Sequence, residues 1–499
     1  MPLAVLRPLG YSPRGSPTAR DPSEPTVDLT SPPDTPPRLW TWRLELPLVR
    51  RVLRLGVWVM LAVITQFFVN AADTFMVGRL DASTATASQA ALGLGMPLFW
   101  GVGGFFAAVS FGTQALTARR YAAGDDEAAG AVLWNALWIS LVAGVVGGIV
   151  GHELVEPAMG YFAEASEAQR RLGAEYTRIR MMGIPGMVVT FAYKAFYDGI
   201  GRTYVHLWAA LAMNLFNIAL NYVLIFGVEP LGIPALELRG AGIASVTSTY
   251  LGLAIIAGVS LGRADRRRFR AYRPRNFDPA AALQIVRLML PSGSATVILM
   301  GGFLLFMRFV GMLDAGTGEN THTAAAKAIM DTAALCFMPL LAFGTATATC
   351  VGQSLGAGKP NLAARYGWEA VRLGIYAMGV VMVGMLLFPE PILAFWAPND
   401  PAVAAEGAAA LRIVALSLPL MVVGLVLSQA LYGAGANLYV MLVELTLHLG
   451  VLVPASYLFG PVLGGGLEGV FAAATVYIAL LGIAMGWKFA GGSWRQIRL

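Results

Sequence analysis

The chain is 499 residues long, 57% apolar and only 13% charged, with a formal net charge of +6. Soluble domains run about 45–50% apolar and about 25% charged, so lipid must cover most of this surface and an ordinary soluble enzyme is excluded. The basic residues fall in the breaks between apolar stretches, which excludes a nucleic-acid-binding reading of the charge. A disulfide scaffold is excluded too, because Cys336 and Cys350 stand fourteen residues apart in one apolar stretch, about 21 Å along a helix.

Residues 1–45 carry ten prolines among scattered Arg, Ser, Thr and Asp, a composition that predicts a disordered tail. The start MPLAVL lacks the basic region and apolar core of a signal peptide. From Leu55 onward apolar stretches alternate with short polar breaks, and helices are predicted over 55–77, 88–117, 128–151, 171–197, 204–227 and 239–261. A second set follows over 282–311, 323–353, 364–387, 404–432, 437–459 and 467–489. About 20 residues cross a bilayer once, so the predicted fold is an all-α membrane protein of twelve transmembrane helices. Its parts are a tail 1–45, a first lobe 46–261, a basic linker 262–280, a second lobe 281–490 and a tail 491–499.

The arginines set the expected orientation. Eight precede the first span and seven more lie between Arg263 and Arg275, while the alternate loops carry Glu153, Glu156, Glu164, Glu229, Asp314, Glu319, Glu390 and Asp400. The positive-inside rule then places both termini and the linker in the cytoplasm. Only four of the basic residues are lysines (Lys194, Lys327, Lys359, Lys488), a bias that fits a GC-rich bacterial genome and a bacterial inner membrane.

The chain also repeats itself. FMVGRLDAS at 75–83 answers RFVGMLDAG at 308–316, and LTARRYAAGD at 116–125 answers CVGQSLGAGK at 350–359. Pro185 matches Pro419, and Asn221-Tyr222 matches Ser456-Tyr457, always at an offset of 233 to 235 residues. Six helices are thus duplicated in one orientation, as two bundles related by an axis along the membrane normal, which points to a transporter with a central cavity.

Ionisable groups inside spans are functional candidates until paired. Asp73 stands in the outer half of the first span, just after Asn70, with no basic residue within a helical turn on its face. It can carry a proton or neutralise a bound Na⁺. Asn214, Asn217 and Asn221 in the fifth span stack on one face, either as partners of Asp73 or as interhelical glue. In the second lobe Glu444 and His448, and likewise Lys327 and Asp331, are each one turn apart and placed to meet. The second pair reads as self-neutralised, whereas Glu444 and His448 offer a proton relay or an acid for a cationic substrate. Lys194 is read as snorkelling to the membrane edge. Met181, Met182, Met187, Tyr193, Met421 and Phe337 are candidate lining of an adaptable substrate cavity.

Together AADTFMVGRL at 71–80, GTQALTARRYAAGD at 112–125, Leu290-Pro291, ATATCVGQSLGAGK at 346–359, FYDGIGRTY and LYGAGANLY resemble the multidrug and toxic compound extrusion family. The likeness spans about residues 50–489. It implies a two-lobe secondary transporter that exports organic, often cationic or amphiphilic compounds in exchange for H⁺ or Na⁺. Asp73 matches the family's coupling carboxylate, Asn217 an Asn of the cation site in the DinF-like branch, and Ser245 a nearby hydroxyl position. The resemblance therefore implies a cation site, for Na⁺ or a proton, at Asp73 and Asn217. Asn221 stands where that branch has a second Asp. The second-lobe carboxylates of the sodium-coupled members are replaced by Leu299 and Met421, and Trp58 stands where many relatives have the proline of the first span. The chain is thus closer to the first-lobe-Asp type, with no cofactor besides the coupling ion, small organic substrates, lipid neighbours and a monomeric state expected. A lipid-linked precursor flippase of the same superfamily and an integral-membrane enzyme are the alternatives. The four scattered histidines and the absence of a GK[ST] phosphate loop speak against an enzyme or an ATP-driven pump.

Overall fold

Proline and aspartate set several of the helix starts. Pro279, Pro360, Pro389 and Pro401 each open a helix, where a missing N–H costs nothing and the fixed φ is already helical. Asp278 and Asp400 cap two of these, accepting from the amides of Ala280 at 2.9 Å and Ala402 at 3.1 Å. The computed structural model describes residues 33–37, 42–80, 82–162, 167–314, 321–398 and 400–499. Most of the segment expected to be disordered therefore lies outside the described residues.

The first half runs α1 (Leu46–Val77), α2 (Ala82–Ala107), α3 (Val109–Ala122), α4 (Asp126–Phe162), α5 (Glu167–Met181), α6 (Ile184–Gly199), α7 (Tyr204–Phe226) and α8 (Glu237–Leu261). After α9 (Arg263–Phe269) the second half runs α10 (Pro279–Leu313), α11 (Thr321–Gly356), α12 (Pro360–Leu387), α13 (Pro389–Trp396), α14 (Pro401–Gly433), α15 (Asn437–Leu447), α16 (Val453–Tyr457) and α17 (Gly466–Gly491). Eleven stretches among the described residues are long and apolar enough to cross a membrane. The second comprises α2 and α3 and the tenth α15 and α16, so the predicted spans are recovered with one difference. The fourth crossing is two shorter helices that meet at Met182-Gly183, and its α5 is polar, with Glu167, Arg170, Arg171, Glu175, Arg178 and Arg180. The linker carries structure of its own: α9 lies within it, and Asn135 of α4 holds its far end, donating to the Asn276 carbonyl and accepting from the Asp278 amide.

The halves exchange the ends of their first helices. Leu48, Val52 and Leu55 of α1 are buried in the apolar cluster of the second half, with Leu431, Val351 and Tyr366. Ile285, Leu288 and Met289 of α10 are buried in the cluster of the first half, with Leu116, Val188 and Met187. The repeat therefore extends to packing. Both exchanges occur at the end of the bundle that carries the start of α1 and the end of α17, called here the terminal end.

Glycines let the backbones close there. A Cβ on Gly199 would meet the Gln114 carbonyl at 3.0 Å, and one on Gly433 would meet the Ala348 carbonyl at 2.4 Å; Gly433 lies 234 residues after Gly199, and Ala348 234 after Gln114. Arg119 of α3 donates to the carbonyls of Ala434 at 2.7 Å and Ile497 at 2.6 Å. Its counterpart, Gln353 of α11, donates to the Gly199 carbonyl at 2.8 Å. Thr349 donates to the Asp198 carbonyl at 3.0 Å, and Gln114 donates to Thr349 at 2.9 Å. The last residues join this closure: Trp494 is fully buried and stacks on Phe489, and Leu499 packs on Gly435.

The residues just before α1 are bound as well, contrary to the expectation of a disordered tail through residue 45. Asp34 accepts from the Leu362 amide at 2.8 Å, Thr35 accepts from Arg365 at 3.1 Å, and Glu45 is ion-paired with Arg365. The Glu45 amide donates to Glu369 at 3.0 Å, and the Trp42 carbonyl accepts from Tyr376 at 2.8 Å. This strap ties the first half to α12 of the second.

At the other end Asp314 organises the start of α11, accepting from the Thr323 hydroxyl at 2.6 Å and the amides of His322 and Thr323 at 3.0 and 2.9 Å. Burial alone would raise its pKa, but these hydrogen bonds outweigh burial and hold the carboxyl below its ordinary value. The stabilisation is thus present at neutral pH and lost only as pH falls through that lowered value.

Gly433→Ala is expected to cost about 1–3 kcal/mol, because the methyl meets backbone that cannot give way. Gly379→Ala, where nothing lies within 4 Å of the added carbon, is expected to be neutral or slightly stabilising. Thermal unfolding of the two variants in detergent checks the contrast.

Candidate functional site

Three helices bring the predicted first-lobe residues together. Asp73 of α1 and Asn221 of α7 meet at 2.5 Å, with the amide nitrogen donating to the carboxylate. The same nitrogen donates to the Asn217 oxygen at 3.2 Å, and the Asn217 amide reaches the Ser245 hydroxyl of α8 at 3.5 Å. All four are buried, Asp73 being 6% exposed and Asn221 not at all. The i, i+4 spacing of Asn217 and Asn221 puts both amides on the face of α7 turned toward α1. One turn nearer the terminal end, Asn214 donates to Thr65 at 2.9 Å, and Gln66 donates to Asn70 at 3.3 Å. A polar seam therefore runs between α1 and α7, ending in an apolar plug of Ala62, Leu207 and Ala210.

The seam is unsaturated in a way that matters for ligands. The Asn221 side-chain oxygen is buried with no hydrogen-bond partner. With Asp73, Asn217 and Ser245 it forms a set of oxygens from three helices, hard donors suited to a proton or a small hard cation. Among the described residues no group of three or more His, Cys, Asp or Glu side chains gathers to hold a metal ion.

Asp73 is not without a basic neighbour, as its own helix suggests. Arg180 of α5 lies within electrostatic reach of it, and fully buried Tyr176 is within reach of both. Sequence reasoning passed over these two residues, although Arg180 stands inside the predicted fourth span, where an arginine demands a partner.

The second-half candidates are placed differently. Lys327 and Asp331 do pair, at 2.8 Å, on an exposed face. Glu444 and His448 do not join through their side chains. The helix widens into a π turn over His448–Leu452, and the ring Nδ1 lies 2.9 Å from the Glu444 carbonyl oxygen instead. The His448 ring packs on Tyr477 at 4.5 Å, and Glu444 lies within electrostatic reach of Tyr432 and Tyr477.

The cavity candidates scatter. Met187 is buried in the first-half core and Met421 packs against the second-half core. The Tyr193 hydroxyl is 3.1 Å from that of Tyr272, which donates to Ser260, so it belongs to a buried polar chain. A cavity of about 310 Å³ lies between α4, α5 and α6, lined by Val145, Ile149, His152, Met181, Met182 and Pro185. Lys194 does not snorkel: it donates to fully buried Asp198 at 2.6 Å. Removing one partner of such a pair leaves a bare buried charge.

A duplicated six-helix bundle, closed at one end and carrying a buried carboxylate seam, defines a multi-pass membrane transporter. The comparisons give it a family. The MatE family model matches residues 59–223 and again 291–458, and the chain belongs to the MatE family, whose members are transporters and not enzymes. It is 28% identical over 421 residues to the multidrug resistance protein PmpM of Pseudomonas aeruginosa, covering 83% of this chain and 84% of that one. It is 26% identical over 446 residues to the multidrug resistance protein NorM of Burkholderia vietnamiensis, covering 87% and 92%. Its fold matches that of an outward-facing multidrug resistance MATE family transporter of the MOP superfamily, with a TM-score of 0.81, 22% identity, and coverage of 90% of this chain and 97% of that one. A MOP superfamily transporter from Pyrococcus furiosus matches with a TM-score of 0.80 over the same shares.

Lys194→Met is expected to destabilise the protein by roughly 3–5 kcal/mol by stranding Asp198, whereas the double variant Lys194→Met with Asp198→Asn recovers most of the loss. Thermal melts of the single and double variants decide this.

Proposed function

We propose that this transporter exports organic compounds, cationic or amphiphilic drugs among them, in exchange for H⁺ or Na⁺ by alternating access. The multidrug relatives support the drug class. The observation that carries the coupling is Asp73: a carboxylate nine-tenths or more buried, held by a neutral amide, beside an unpartnered buried oxygen of Asn221. The Asp73 carboxylate is neutralised when a single cation arrives and regains its negative charge when the cation leaves.

The terminal end is read as the cytoplasmic face of a bacterial inner membrane, in keeping with the arginine distribution. The closure by Arg119, Gln353 and Thr349 then corresponds to an outward-facing state. Opening it breaks several hydrogen bonds at about 1 kcal/mol each, together with the packing of α1 and α10 into the opposite half. Cation and substrate binding must therefore differ between the two states by a few kcal/mol. By linkage, whatever cation binds tightly when the protein faces outward must weaken substrate binding there, and the reverse. Exchange follows from that reciprocity.

The Asn pair gives the seam its mechanical effect. Asn221 bonds Asp73 across α1 and α7, so loading Asp73 removes the acceptor charge that holds the amide. A change in that bond alters how the two helices seat on each other, beside the α1 end that is locked into the second half. The coupling ion thus acts on the same helix that forms the closure.

In proteoliposomes with an imposed pH or Na⁺ gradient, Asp73→Asn is expected to reduce ion-driven exchange of a cationic dye at least tenfold. Passive dye binding should be retained. Undiminished ion-driven exchange in this variant would falsify the assignment.

A further inference from the structure

Arg180 occupies the same layer of the first half as Asp73. Val77 of α1, Ile225 of α7 and Tyr176 of α5 are buried in one apolar cluster. Helices α1 and α7 run away from the terminal end and α5 runs toward it, so one turn nearer that end is four residues earlier in the first two and four later in the third. Those positions are Asp73, Asn221 and Arg180. All three sit beneath the same apolar lid, and Arg180 acts electrostatically on Asp73.

The guanidinium nevertheless bonds to neither residue. It lies over the Phe99 ring of α2, 4.3 Å from the centroid, with one nitrogen 3.8 Å from the Met96 sulfur. Its Nε is buried without an acceptor, while the Asn221 oxygen is buried without a donor. An orphaned donor and an orphaned acceptor thus share one layer, joined by a long, flexible side chain. An aromatic face holds a desolvated guanidinium well, and a carboxylate beside a free amide oxygen holds it by charge and hydrogen bonds. The structure offers Arg180 two seats.

We infer that Arg180 is a tethered counter-cation that moves between the Phe99 ring and the Asp73–Asn221 pair, competes with the coupling ion for Asp73, and so makes the site select a proton over Na⁺. This rests on the reading of Asp73 as the coupling carboxylate. Among the described residues, the groups around Asp73 are Asn217 and Asn221 from α7, Ser245 from α8, and Tyr176 and Arg180 from α5, and Arg180 is the only cation of these. While it stands within electrostatic reach of Asp73, the Arg180 charge weakens the binding of any incoming cation. A proton makes a covalent O–H bond on one carboxylate oxygen and retains useful affinity after that loss. A Na⁺ ion held only by charge and neutral oxygens does not, and it also needs the Asn221 oxygen that the guanidinium claims. Arg180 is a positioning and selectivity residue; it receives no proton and binds no substrate.

The test uses the full chain in proteoliposomes, with exchange of a cationic dye driven separately by a pH gradient and by a Na⁺ gradient. Wild type is expected to respond to the pH gradient and not to Na⁺. Arg180→Gln should gain Na⁺-driven exchange, with apparent Na⁺ affinity raised at least tenfold, while Arg180→Lys stays close to wild type. Phe99→Leu removes the parking seat, so it is expected to act in the opposite sense, needing about tenfold more protons for half-maximal exchange. Should Arg180→Gln not fold, Phe99→Leu alone decides. Na⁺-driven exchange in wild type overturns the inference, as does an unchanged ion response in either variant. If Asp73→Asn abolishes exchange but the Arg180 and Phe99 variants change nothing, only the role of Arg180 fails. If Asp73→Asn exchanges normally, the coupling assignment itself fails.

Discussion

The reciprocal burial of α1 and α10 is the contact on which the molecule turns. Each is the first helix of its half, and each drives its first turns into the core of the other half. Leu48, Val52 and Leu55 on one side, and Ile285, Leu288 and Met289 on the other, are as buried as any core residue. Two six-helix bundles with separate cores would slide apart under lipid, since apolar surface gains nothing from leaving lipid for protein. Interlocked helices and glycine-lined backbone contacts supply the close packing instead. The same contact explains why the closure is symmetric in kind: Arg119 and Gln353 differ in chemistry, yet each reaches a carbonyl at the end of the fourth crossing of the opposite half.

A chain in lipid must also satisfy its own polar groups. Threonines do this locally: Thr113, Thr332 and Thr347 each donate to the carbonyl four residues back. Charged residues need charged partners, which Lys194 and Arg372 find one turn away on their own helices, in Asp198 and Glu369, and Arg202 finds in Asp265. Against this background, a buried carboxylate bonded only through neutral amides is an exception. Arg180 is the charged group within electrostatic reach of it among the described residues.

Much of this was legible in the sequence because period and repetition survive divergence. The offset of 233 to 235 residues exposed the duplication, and the spacing of Asn214, Asn217 and Asn221 placed a polar face opposite Asp73. Two failures have a common cause. Arg180 lies in α5, whose polar composition hides its role within a crossing, and the Glu45–Arg365 strap lies in a proline-rich stretch that looks solvated. In both cases composition reports the average surroundings, while the partner that holds the residue stands on another helix far along the chain, Phe99 for Arg180 and Arg365 for Glu45. Glu444 and His448 failed for a local reason: the expected spacing assumes an unbroken α-helix, and the π turn at His448 with Pro454 following shifts the ring onto the backbone.

Residues 494–499 lie across the joint between the two halves. Trp494 is wedged under Phe489, the Ile497 carbonyl holds Arg119, Arg495 donates to Asn361, and Leu499 fills the space over Gly435. This segment behaves as a gasket laid across the joint after both halves have closed. A fluorophore near Trp494 would therefore brighten or dim with the state of the joint. For anyone handling this transporter, Trp494 is a gauge of whether the joint is shut.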